Sequence, residues 1–186
     1  MAGILIAMPI PVFAANQFSI SLSRIDYEIA SMSMYCTTDI GGPGDEGVSF
    51  ACGNYIGLGA DFRYERVLRP AISLIGEFLY TEGESGSPSA QVTHALATVG
   101  FAWNFSGRGQ VSLQAGYSTF VPGDTGIFSR KATWQPAFGV FLGRKFAADG
   151  NARFMLQGGY LLTRLNDYYV GMTNIEALVV QAGVSW

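Results

Sequence analysis

Apolar and polar residues alternate along most of the chain, in segments separated by Gly, Pro, Asn or Asp. The clearest segment places Ile56, Leu58, Ala60, Phe62 and Tyr64 at every second position, with small or polar residues between them. A repeat of two residues puts these two sets on opposite faces of a β-strand. The pattern occurs eight times and therefore predicts eight strands.

The connections between these segments alternate in length. Short connections follow segments two, four and six, and longer ones follow segments one, three, five and seven. The short ones are 67–70, 106–109 and 147–150, and the long ones are 31–54, 83–91, 121–131 and 166–173. Short turns at one end and long loops at the other are typical of transmembrane barrels, in which the short turns face the periplasm. We therefore predict an all-β fold, an eight-stranded antiparallel up-and-down transmembrane β-barrel.

Two segments depart from strict alternation. The apolar phase of the first segment changes between Phe18–Leu22 and Ile25–Ile29, and a β-bulge near Ser23 would restore it. In the sixth segment Pro136 cannot donate to a ladder, so we expect a bulge or a missing bond there. The bulge in the first segment would turn three charged side chains inward: Arg24, Asp26 and Glu28.

Composition indicates which face of the predicted barrel wall points outward. Hydrophobic residues make up 49% of the chain and charged residues only 13%, too few to cover a soluble barrel that holds a ligand in an apolar interior. No apolar run reaches the ~20 residues of a membrane helix. Charges in phase with the apolar face lie only near strand ends, at Arg66, Glu82, Arg144, Arg164 and Glu176. We therefore expect the apolar face to contact lipid.

The N-terminus resembles a signal peptide. Residues 2–12 form an apolar stretch, and Val12-Phe13-Ala14 fits a cleavage site before Ala15, although Lys and Arg are missing upstream. The expected organisation is a signal peptide at 1–14, whose true start can lie further upstream, and a barrel domain at 15–186. An ordinary buried N-terminal segment is the alternative.

The only two cysteines, Cys36 and Cys52, flank a segment rich in Gly and Asp. In an exported protein such a pair normally forms a disulfide, which would lie in the first long loop. Two unpaired thiols are the alternative. No pattern around them suggests a metal site, and we expect no cofactor.

The chain resembles the small eight-stranded outer-membrane barrels of Gram-negative bacteria: the OmpA transmembrane domain, OmpX-like and opacity-type proteins. The sharpest motif is the last segment, in which Leu178, Val180, Ala182 and Val184 alternate up to the terminal aromatic Trp186. The resemblance implies a location in the bacterial outer membrane, contact with its lipid and lipopolysaccharide, and recognition of Trp186 by the barrel assembly machinery as an assembly signal. We expect a monomer. The net charge of −3 argues against a nucleic-acid partner.

The predicted inward face carries charges of both signs. Such charges can form a structural salt-bridge network, or they can gate a narrow pore by exchanging partners. Arg63 and Glu77, on adjacent strands, are the candidates for a central pair. The predicted interior network is Arg24, Asp26, Glu28, Asp61, Arg63, Glu65, Glu77, Lys145 and Arg153.

Three functions remain open. The first is a structural or surface-interaction role through extracellular loops 31–54 and 121–131, with an unknown ligand. The second is a small porin-like channel. The third is a lipid A-modifying enzyme, which we consider poorly supported: the only histidine is His94, and Leu96 occupies the position where the deacylase barrels carry Ser. We therefore expect no catalytic residues.

Overall fold

A computed structural model describes residues 16–28, 55–85, 90–105, 108–122, 133–147, 152–167 and 171–186. They form eight strands, and the predicted fold class is confirmed. The strands are β1 (Asn16–Glu28), β2 (Tyr55–Arg69), β3 (Ile72–Ser85), β4 (Ala90–Phe105), β5 (Gly109–Pro122), β6 (Gln135–Ala147), β7 (Arg153–Asp167) and β8 (Gly171–Ser185). No helix in these ranges is long and apolar enough to cross a membrane.

Each strand pairs antiparallel with its neighbours in the chain, and β8 pairs with β1 to close the barrel. Following the register once around from Gln17 leads back to β1 at Tyr27, ten residues further along, so the shear number is ten. Phe18 and Trp186 exchange two backbone hydrogen bonds of 3.0 and 2.9 Å at the seam. A closed barrel of eight strands has an interior that side chains can fill.

The two ends of the barrel differ in their connections. The turn end holds Asn16, Trp186 and the joins after β2, β4 and β6, and the opposite loop end holds the other joins. The strands run further at the loop end than the sequence suggested. The connections after β3 and β7 are therefore only residues 86–89 and 168–170, whereas 29–54 and 123–134 are long.

The predicted bulge in β1 is wrong. β1 pairs with β2 from Asn16 to Tyr27 without a register shift, and its pairing with β8 is equally continuous. Arg24 therefore points outward, as does Asp26, whereas Ile25 and Tyr27 are buried inside. Because β1 is paired on both sides, a bulge would disrupt two ladders, and the regular strand instead places its second apolar run in the lumen.

Pro136 is accommodated at the start of β6 without a bulge. It pairs with Tyr117 of β5, and the ladder to β7 begins only one residue later, at Ala137 and Thr163. The missing N–H therefore interrupts no ladder with β7, and the Pro136 carbonyl accepts a 3.2 Å hydrogen bond from the Thr163 hydroxyl. Within the described ladders the register shifts only near the β2–β3 turn, between Val67 and Arg69.

The outer wall is apolar and the inner wall carries the polar residues. On β5, Leu113 is 48% exposed while its neighbour Gln114 is 4% exposed. Large apolar side chains are exposed on all eight strands, which no soluble surface would present. The prediction from composition that the apolar side chains point outward therefore holds for the described strands.

Candidate functional site

Arg63 is the centre of a polar network that fills the half of the lumen nearer the turn end. Its side chain is fully buried. One terminal nitrogen donates to the Gln157 amide oxygen, and the other donates to Gln110 Oε1 at 2.5 Å and to Glu65 Oε2 at 3.4 Å. Planar donors that reach three acceptors hold the guanidinium in one orientation.

Glu65 connects this centre to the mouth at the turn end. Lys145 Nζ lies 2.8 Å from Glu65 Oε2 and 2.8 Å from Gln17 Oε1. Gln110 donates to the other carboxylate oxygen of Glu65 at 3.1 Å. Lys145 and Glu65 therefore form the closest ion pair among the described interior residues.

Glu77 binds mainly to amides. Gln114 and Gln181 each donate to it at 2.9 Å, and Arg63 Nη1 lies 3.9 Å away. Arg63 and Glu77 occupy directly opposed register positions on the adjacent strands β2 and β3. Thr98 extends the network by donating to Gln114 Oε1 at 2.5 Å.

Asp61 is the buried acid with the fewest hydrogen bonds in this network. It is 0% exposed and lies near the charges of Glu77 and Arg63, yet neither of its oxygens accepts a hydrogen bond from a described residue. The described interior thus contains three carboxyl groups against two cations, Arg63 and Lys145. The acids therefore outnumber the cations by one. Asp61 differs from Glu65 and Glu77 because no described residue donates a hydrogen bond to it.

The other half of the lumen, toward the loop end, is mainly apolar, with buried polar side chains such as Thr81, Ser118 and Thr163 among the apolar ones. Its side chains meet as direct partners across the ladder: Leu79 with Leu96, Ile25 with Val179, and Leu161 with Ala177. Each of these six residues is at most 2% exposed. They belong to one continuous cluster of buried hydrophobic residues.

Phe141 shows how tightly this apolar cluster is packed. Its ring lies against Gly139 and Gly159, where an added Cβ would stand 2.5 and 2.1 Å from ring atoms. Such distances leave no room for a side chain at either glycine. The two glycines thus create the space for the Phe141 ring.

A small polar contact lies within the apolar half. The Tyr27 hydroxyl and His94 Nε2 are 2.8 Å apart, and the rings of Tyr27, His94 and Phe120 pack with centroids 4.6–5.2 Å apart. His94 is 0% exposed, and its Nδ1 has no described hydrogen-bond partner. Leu96, two positions from His94 on β4, is also buried inside.

Several predicted site residues lie elsewhere. Arg24 and Asp26 form an ion pair of 3.2 Å on the outer wall, so their assignment to the interior is wrong. Arg153 is exposed at the turn end. Trp186 is 53% exposed, in the outward phase at the same end. The Glu28 side chain, residues 1–14, Cys36, Cys52 and the two long loops lie outside the described residues, and their predicted roles stay predictions.

The glutamines are the functional residues that charge patterning missed. Gln110, Gln114, Gln157 and Gln181 supply most of the amide contacts to the buried acids and to Arg63. All four are in the inward phase of their strands, so their repeated occurrence there was a usable signal. In the described ranges no three His, Cys, Asp or Glu residues could together hold a metal ion.

No protein-family model matches the sequence, and no curated protein sequence matches it. Solved structures do match. The Neisserial surface protein A structure aligns with a TM-score of 0.57 at 11% identity, covering 92% of this chain and 97% of that one. The attachment invasion locus protein Ail of Yersinia pestis gives 0.51 at 13%, covering 92% and 97%. The outer membrane protein OprG of Pseudomonas aeruginosa gives 0.50 at 14%, covering 92% and 95%. This chain therefore has the fold of the small eight-stranded β-barrels of bacterial outer membranes.

Proposed function

We propose that the protein is an outer-membrane barrel with a closed lumen, whose role is structural or is performed by its outward-facing surfaces and extracellular loops. In this arrangement the turn end faces the periplasm and the loop end faces outside. The outer-membrane location is supported by the apolar outer wall and by the outer-membrane proteins that share the fold.

The observation that carries the proposal is the filled lumen. In the half toward the loop end, Leu79, Leu96 and Phe141 are at most 1% exposed. In the other half, Arg63 and Glu77 are at most 5% exposed and are held by amides. A lumen packed in this way leaves loops and outer wall as the surfaces on which a partner can act.

Planar-bilayer recording on refolded protein tests the closed lumen. We expect no steady ohmic conductance above the bare bilayer. A reproducible single-channel level that scales with salt would contradict the closed lumen and favour the porin-like alternative, since interior charges of both signs can exchange partners in a pore.

Loop deletion tests the surface role. Shortening 31–54 or 123–132 should leave barrel folding intact and abolish binding of cells to a host or abiotic surface. Unchanged binding after both deletions would contradict a role for the loops. The enzyme alternative has no observation in its favour in the described residues.

A further inference from the structure

A charged patch lies on the outer wall, where most neighbours are apolar. Arg24 stands on β1 between its register partners Leu58 and Val180, which are 64% and 53% exposed. Charged residues that face lipid are rare and usually engage a specific partner. The patch therefore requires an explanation beyond strand alternation.

Asp26 holds Arg24 in an orientation suited to an anion. Arg24 Nε donates to both oxygens of the Asp26 carboxylate, at 3.3 and 3.2 Å. The two terminal amino groups of Arg24 donate to no described residue, and the side chain is 55% exposed. A guanidinium anchored through Nε presents its terminal nitrogens as a fork that fits the oxygens of a phosphate.

The fork lies at a cavity of about 430 Å³ on the outer wall. Its lining includes the apolar Ile56 and Leu178, the ring of Tyr160, and the acid Glu176. Ile56 and Leu178 are exposed, as lipid-facing residues are. Tyrosine rings favour the level of lipid headgroups, so the cavity combines a headgroup environment with an apolar wall for acyl chains.

Glu176 restricts the ligand further. A carboxylate in the same cavity would repel a bare phosphate, whereas a divalent cation carried by the phosphate can bridge the two groups through oxygen ligands. A phosphomonoester, with its greater negative charge, recruits such a cation more strongly than a phosphodiester does. The charges of the cavity thus complement a phosphate together with its cation.

We propose that this cavity binds the headgroup of a phosphorylated glycolipid in the outer leaflet. The Arg24 fork binds the phosphate, Asp26 positions Arg24, Glu176 faces the divalent cation, and the acyl chains lie along Leu178. The proposal rests on the orientation given under the proposed function, because it requires the loop end to face outside. It does not depend on whether the lumen conducts.

Native mass spectrometry of the detergent-refolded chain with bis-phosphorylated lipid A and Mg²⁺ tests the site. We expect a saturable adduct of one lipid per barrel, weakened at least tenfold in Arg24→Gln. Arg24→Lys should also bind weakly, because it keeps the charge but loses the fork. Arg164→Gln is the matched control, since Arg164 is exposed near the same end of the barrel and does not line the cavity. Equal affinity of wild type, Arg24→Gln and Arg164→Gln would overturn the proposal.

Three further arms identify the occupant of the cavity. Chelation of Mg²⁺ should weaken binding to wild type but not to Glu176→Gln, and equal weakening of both would contradict the role of Glu176. Inorganic phosphate at the concentration of the lipid should not displace it, and full displacement would overturn a lipid ligand. A dimer that dissociates in Arg24→Gln would also overturn the proposal, in favour of a second copy of the chain. Conductance recording on the same variants shows whether the closed lumen survives in either case.

Discussion

Different kinds of interaction hold the side chains in the two halves of the lumen. Toward the turn end, Arg63 and its partners form hydrogen bonds and ion pairs that each depend on a particular atom. Toward the loop end, Leu79, Leu96 and their neighbours pack as one apolar cluster, to which the Tyr27–His94 and Ser118–Thr163 contacts add hydrogen bonds. A substitution in the polar half leaves other polar groups that can still pair across the lumen, whereas the apolar half opens only if side chains leave. We infer that the apolar half determines closure and the polar half determines the specificity of folding.

The largest effect should follow from removing the central cation. Replacing Arg63 with Met leaves Glu65 and Glu77 buried with fewer partners, and breaking a buried pair in this way costs about 3–5 kcal/mol of unfolding free energy. Reversible urea unfolding in lipid vesicles measures the change.

Arg66→Met is the control for that substitution. Arg66 is exposed and lies three positions further along the same strand, on the outer wall near the turn end. We expect a change of less than about 1 kcal/mol, since exposed charges contribute little. A similar loss in both variants would show that the polar half depends on no specific pairing.

A cavity in the apolar half should have the next largest effect. Leu79→Ala removes a fully buried side chain from the cluster, at a cost of about 2–5 kcal/mol. Leu58→Ala, on the outer wall and 64% exposed, is the matched control and should lose much less. Equal losses would mean that the interior of this half is no better packed than the lipid contact.

Gln114→Ala should have the smallest of these effects. The sequence alone suggests a mild change, because Gln114 is an uncharged residue in an alternating strand. The structure gives it bonds to Thr98 and Glu77, so its removal leaves buried groups without partners, at about 1–3 kcal/mol. The exposed Gln91 provides the control, and Gln91→Ala should be nearly neutral. A neutral Gln114→Ala would show that water replaces the amide.

Period-two alternation predicted the strand number, the alternating lengths of the connections predicted the antiparallel up-and-down order, and composition predicted that the apolar face points outward. The alternation failed on β1, where Ile25 and Tyr27 are as apolar as the residues that face lipid. The prediction assumed that every apolar side chain points outward, and the apolar half of the lumen violates that assumption. A sequence pattern of period two cannot distinguish an apolar interior from an apolar exterior.

The candidate site was predictable only in part. Asp61, Arg63, Glu65, Glu77 and Lys145 were identified by charge and phase, and all five lie inside. Their partners depend on the shear of the barrel, which brings residues from distant strands to one level. The contact between Arg63 and Gln157, on β2 and β7, follows from that geometry and from no local pattern.

The most direct test of the account compares conductance after each half is opened separately. Planar-bilayer recordings would be made on Arg63→Gln, which loosens the polar half, and on the double variant Leu79→Gly with Leu96→Gly, which removes two packed side chains from the apolar half. Circular dichroism and heat-dependent gel mobility would first establish that both barrels are folded. The account predicts that Arg63→Gln stays closed and that the double glycine variant conducts, because a wetted gap replaces a dry constriction. Steady conductance in Arg63→Gln, with none in the double glycine variant, would contradict it.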